Sequence, residues 1–124
     1  QNKYMKAPSG LPLVQHTNLM MLDFVFDGKI DLETMVWKMS GAVAECFNLH
    51  DRGLIKEGYK ADLVLVNSNE YTVNKDNLFY KCGWSPLEGH TFKHSIESTY
   101  VNGVRVFHQG ALTGALAGER LRFN

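Results

Sequence analysis

An α+β fold in two unequal parts is predicted for these 124 residues, and two observations predict it. Up to about residue 50 apolar residues recur at three- and four-residue spacing, the period of a helix face; beyond residue 60 they run unbroken or alternate, as strands do. Between the two regimes lies Gly53-Leu54-Ile55-Lys56-Glu57-Gly58-Tyr59-Lys60-Ala61-Asp62-Leu63-Val64-Leu65-Val66-Asn67. Its two glycines bracket a polar turn, and Leu63 to Val66 has the length and composition of a buried strand. The expected parts are residues 1–50, helical, and 51–124, β-rich.

Residues 1–12 read as a loop, because Ala7-Pro8-Ser9-Gly10-Leu11-Pro12 places two prolines and a glycine where no regular element survives them. Leu13, Val14, Thr17, Met20, Met21, Phe24 and Val25 then mark one face of a helix over 13–26, ending before Asp27-Gly28. Asp31 stands at an N-cap position with Glu33 in the first turn, and Ile30 and Met35 can form a hydrophobic staple. The face Leu32, Met35, Val36, Met39, Val43, Cys46 and Phe47 follows for about four turns. Ser40-Gly41 interrupts it, so two short helices or one kinked helix are expected.

After the central stretch, residues 54–56 are a candidate short strand and Tyr71-Thr72-Val73 another, with Asn74–Asn77 turn-like. Residues 78–91 read as irregular, anchored by Trp84 and Leu87. His94–Val101 alternates as a strand, and Asn102-Gly103 leads into Val104-Arg105-Val106-Phe107. An Asn-Gly pair between strand-like runs predicts a type I′ hairpin, since both central residues need positive φ. The Gly/Ala-rich tract 110–118 reads as a flexible connector.

Composition narrows the function classes. Thirteen basic residues balance thirteen acidic ones, so no net field favours nucleic acid or an anionic membrane. No apolar run approaches the roughly 18 residues of a membrane span, and no signal-peptide layout is seen at the start. Two cysteines outside any C-x-x-C argue against a disulfide framework and fit a cytoplasmic setting. The chain opens at Gln1 in polar sequence, which suggests the C-terminal piece of something longer.

Candidate chemistry is sparse. His90 and His94 have i, i+4 spacing, but they fall between a Pro/Gly loop and a strand pattern with no third ligand beside them, and read as ordinary histidines. His16, His50 and His108 are each isolated. Cys46 lies on an apolar helix face and reads as a small core residue, and Cys82 has no evident base. No phosphate-binding glycine loop and no G-x-S-x-G elbow occur. The residues alone compose no complete active site.

The central string G-L-I-K-E-G-Y-K-A-D-L-V-L-V resembles the G-x-I-x-x-G-x-x-A-D-L-V-L signature of the metal-dependent amidohydrolases. Three further stretches resemble dihydroorotase within that superfamily: Lys6-Ala7-Pro8-Ser9-Gly10-Leu11-Pro12, Lys81-Cys82-Gly83-Trp84-Ser85-Pro86-Leu87-Glu88-Gly89, and the hairpin Tyr100 to Val106. The second is the most discriminating, because hydantoinases and other relatives share the A-D-L-V-L string more widely. The resemblance implies helices from the end of a (β/α)8 amidohydrolase barrel in residues 1–50, followed by strands of a composite β-sandwich in 51–124. A whole barrel needs roughly 250 residues, so only its end fits here.

The resemblance further implies reversible hydrolysis of dihydroorotate to N-carbamoyl-aspartate, with zinc activating a bound hydroxide. The family's ligands are an early His-x-His, a carboxylated lysine, two later histidines and an aspartate in D-H-A-P-H. None of these motifs occurs here, so the zinc ligands are expected outside this chain. What the resemblance leaves within it is a substrate-binding pair, Ser9 and Gly10, acting largely through backbone groups. Ser9 stands where phenylalanine is common, and Ser40-Gly41-Ala42 where Asn-Pro-Ala is common. The expected partners are the small-molecule substrate, the rest of the parent polypeptide and further copies in a homo-oligomer. Other readings are a plain turn at 7–10, a non-catalytic scaffold domain, a hydantoinase or allantoinase, and a free-standing β-rich binding module.

Overall fold

A computed structural model describes residues 10–123. Three helices come first: α1 (Thr17–Phe26), α2 (Leu32–Met39) and α3 (Gly41–Cys46). Six strands follow: β1 (Leu63–Asn67), β2 (Tyr71–Thr72), β3 (Thr91–Phe92), β4 (Ser95–Val101), β5 (Val104–His108) and β6 (Ala111–Leu112). Helices precede strands as the periodicity predicts.

The first helix begins four residues later than expected. Residues 14–16 form a turn instead, with His16 N–H bonded to the Leu13 carbonyl at 2.9 Å and the Thr17 hydroxyl donating to that oxygen at 3.1 Å. At α2 the expected cap is present, the Asp31 carboxylate accepting from the Thr34 N–H at 2.7 Å and from its hydroxyl at 2.8 Å. Ser40 leaves helical geometry, at φ −132° and ψ −81°, and separates α2 from α3. Cys46 proves exposed, and Ala44 takes the buried place on α3. Val43 and Phe47, on the same expected face, are exposed as well, so the described residues leave that face uncovered.

β1, β4, β5 and β6 form an antiparallel sheet in that order. Leu63 pairs with Tyr100 at one end of β1 and Asn67 with Ser95 at the other, across a bulge between Leu65 and Val66. The β4–β5 turn carries positive φ at both Asn102 (50°) and Gly103 (80°), as a type I′ turn requires. β2 and β3 form a separate small hairpin sheet, with Tyr71 opposite Phe92. Residues 54–56 form no strand, and β6 occupies part of the tract read as a connector.

The core sits where α1 crosses the β2/β3 pair: Leu19, Val73 and Phe92 are buried, with Leu22, Leu78, Leu87 and Ile96 packed against them. It is small for a chain of this length. Leu63–Val66 is not the buried strand its composition suggests, for Val64, Leu65 and Val66 are 44%, 48% and 40% exposed. β1 is an edge strand with only β4 beside it, and an apolar strand of this type ordinarily has cover on both faces. Trp84 is likewise 43% exposed, so the anchor of its loop is Ser85, which is buried.

Candidate functional site

Ser9 lies outside the described residues. Gly10 is exposed and open: a Cβ placed on it meets nothing within 4 Å, and its φ is not in the left-handed range. Its backbone is accessible for a ligand, and no internal packing accounts for glycine there.

The segment that carries Gly10 is tied down five residues later, at Gln15. Gln15 reaches the stretch after β2 with three hydrogen bonds: its amide nitrogen donates to the Asn77 carbonyl at 2.7 Å, its amide oxygen accepts from Phe79 N–H at 2.9 Å, and its backbone N–H donates to the Tyr80 hydroxyl at 2.9 Å. His16, beside it, is 1% exposed. Its ring stacks near Phe92 at 6.0 Å and faces Tyr71 and Tyr80 at 5.9 Å each. Among the described residues neither imidazole nitrogen has a hydrogen-bond partner. Burial without a compensating acceptor holds the His16 pKa below its ordinary 6.5, and burial raises that of the Tyr71 phenol.

His16 also lines a cavity of about 600 Å³ between the start of α1 and the end of the four-stranded sheet. Leu19, Tyr71, Ile96 and Phe107 form much of its wall, and Glu97 supplies charge. That carboxylate accepts from the Asn67 amide at 2.9 Å and the Gln109 amide at 3.2 Å. Among the described residues no lysine or arginine lines the space, and nothing in them would offset the charge of a dicarboxylate there.

The signature stretch acts in another place. Asp62 bonds Arg52 Nη1 and accepts from Asn102 N–H at 2.8 Å. Arg52 Nη2 donates to the Asn102 side-chain oxygen at 2.8 Å, while the Asn102 amide donates to the Ala117 carbonyl at 2.6 Å. The Asp62 carboxylate thus clasps Arg52 and the β4–β5 turn, and Asn102 in turn holds the C-terminal tract. Gly53 meets a second demand: it holds φ +85°, and a Cβ there would lie 2.7 Å from Ala44 Cβ and 3.0 Å from the Ser40 carbonyl. In the Trp84–Gly89 segment the Ser85 hydroxyl accepts from Leu87 N–H at 3.2 Å, and Gly89 N–H bonds the Val73 carbonyl at 2.8 Å, backing the β2/β3 pair that walls His16.

His90 and His94 stand apart in role. His90 approaches Asp23 of α1 at 3.5 Å, and His94 stacks on Phe26 with ring centres 4.3 Å apart. Among the described residues no three His, Cys, Asp or Glu side chains are grouped to hold a metal ion. The sequence reading passes over Gln15 and Arg52 and counts His16 as isolated. A glutamine directly before an apolar helix is the one signal that could have singled out this tie, since its amide must find partners off the helix.

The amidohydrolase family model matches residues 14–107. A dihydroorotase of Pyrococcus furiosus is 33% identical over 114 residues, covering 91% of this chain and 27% of the relative. An allantoinase of Bacillus velezensis is 35% identical over 96 residues, covering 77% of this chain and 21% of the relative. Among solved structures, a D-hydantoinase superposes with a TM-score of 0.80 at 25% identity, over 91% of this chain and 25% of that one. The chain spans about a quarter of the length of the relatives it matches.

Proposed function

We propose a dihydroorotase function for the protein to which this chain contributes, proceeding from the fact that the chain belongs to the amidohydrolase family. The observation that carries the choice is the Lys81–Gly89 segment, which resembles dihydroorotase in particular; the similarity to a dihydroorotase along 91% of the chain accords with it but is matched in extent by allantoinases. The reaction is the reversible closure of N-carbamoyl-aspartate to dihydroorotate. Residues 1–50 are read as the end of the barrel and 51–124 as sandwich strands.

Within that protein this chain binds rather than reacts. Gly10 and Ser9 offer backbone groups to the substrate, and the openness at Gly10 supports such an approach. The described residues do not fit a zinc centre, so the ligands are assigned to the rest of the polypeptide and no step is derived through the metal. The exposed apolar strand β1 supports that polypeptide as the principal partner, since three adjacent apolar residues each 40% or more exposed are costly to leave in water. No described helix is long and apolar enough to cross a membrane. A cytoplasmic setting accords with two free, exposed cysteines.

The allantoinase of Bacillus velezensis, slightly more identical over a shorter span, favours a second reading in which the cyclic amide is allantoin. Turnover of N-carbamoyl-aspartate and allantoin by the intact protein separates the two. Activity toward neither, with an upstream sequence lacking His-x-His, selects the scaffold reading.

A further inference from the structure

We propose that Gln15 and His16 form a proton-sensitive anchor that positions the chain segment carrying Gly10, holding it at neutral pH and releasing it in acid. Three hydrogen bonds from Gln15 fix the entry to α1 against residues 77–80, and His16 plugs the gap behind them. A neutral imidazole in this aromatic box forgoes two hydrogen bonds; a protonated one would in addition be a buried, unpaired charge. Opening the seam returns the ring to water, where its affinity for a proton is ordinary. Acid therefore favours the open form.

The groups facing His16 do not offset this. From β2 and the stretch after it come the rings of Tyr71 and Tyr80, and from β3 that of Phe92, which meets His90 edge-on at 4.5 Å. Glu70 and Glu97 line the same cavity, yet neither bonds an imidazole nitrogen of His16. His90 lies on the other side of Phe92, 3.5 Å from Asp23, in a contact that joins α1 to the start of β3. Substituting His16 alone separates the two histidines.

The sign follows from linkage. The folded pKa lies below the 6.5 of the open state, so the anchor is fully stable above 6.5 and loses stability as pH falls below it. The open population then rises by up to about tenfold per pH unit until the folded pKa is reached. The consequence for substrate binding rests on the proposed function; the anchoring does not.

The test is amide exchange over residues 13–22, corrected for intrinsic rates, between pH 7.5 and 5.5 in the longest natural polypeptide that contains this chain. The Met20 amide, bonded to the His16 carbonyl at 2.9 Å, is the most direct reporter. Protection should fall steeply below pH 6.5 in the wild type and stay level in His16→Phe. A level wild-type profile, or an equal fall in His16→Phe, overturns the proposal. Should His16→Phe fail to fold, titration of the wild-type imidazole by NMR decides: a pKa below 6.5 supports the anchor, and one at or above 6.5 overturns it. Because exchange reads no activity, a failure of the dihydroorotase reading leaves this result standing.

Discussion

Replacing Asp62 by alanine should destabilise the fold more than any other single change on the exposed side of the sheet. Its carboxylate accepts the Asn102 N–H and pairs with Arg52, whose side chain is only 12% exposed. A hydrogen bond to a charged group contributes about 1.5–3 kcal/mol. Leaving the guanidinium without its carboxylate adds to that, but Asp62 is 35% exposed, so solvent screening holds the addition well below the cost of breaking a fully buried pair. Together these predict a loss of about 2–4 kcal/mol for Asp62→Ala. Asp62→Asn keeps an acceptor for Asn102 and loses only the charge, so about half that is expected. Urea unfolding with an unchanged m-value is the assay, and Arg52→Met completes a double-mutant cycle. A loss under about 0.5 kcal/mol for Asp62→Ala, or full additivity with Arg52→Met, would refute the clasp.

Gly53→Ala should cost more than Gly58→Ala in the same unfolding assay. Both hold φ +85°, worth about 1–3 kcal/mol for a residue with a Cβ, but only Gly53 also faces atoms inside contact distance. Gly10→Val should leave thermal stability and metal content of the intact protein unchanged and reduce substrate binding or turnover roughly ten- to hundredfold for each backbone bond lost, with Ser9→Ala doing much less. Wild-type kinetics in Gly10→Val would reduce residues 7–10 to a plain turn. The Asp31 cap lowers that carboxyl's pKa through its bonds to Thr34. Protection of the α2 amides should therefore hold above pH 3.8 and decline as pH falls through the lower folded value, whereas Asp31→Ala should show no such step.

What could be read from the sequence was whatever local chemistry decides. Asp31 followed by Thr34 dictates a cap, and Asn102-Gly103 a turn with two positive φ values, whichever residues lie nearby. Burial was read less well because it depends on neighbours. Leu63–Val66 has the composition of an interior strand, yet the described residues leave Val64, Leu65 and Val66 about half exposed, and Cys46 shares an apolar face with Val43 and Phe47 that they leave uncovered. The site suffered most. Gln15 bonds residues more than 60 positions away, and the aromatic box around His16 is assembled from three separate segments. Asp62 was visible only as part of a signature and Arg52, ten residues before it, not at all, and their joint hold on Asn102 required the hairpin to be placed.

The central claim is tested most directly by assaying the intact natural protein, with its metal, for ring closure of N-carbamoyl-aspartate alongside opening of allantoin and hydantoin at equal concentrations. Turnover of N-carbamoyl-aspartate to dihydroorotate well above that of the other two is expected. Efficient opening of allantoin or hydantoin with no dihydroorotate formed would contradict it.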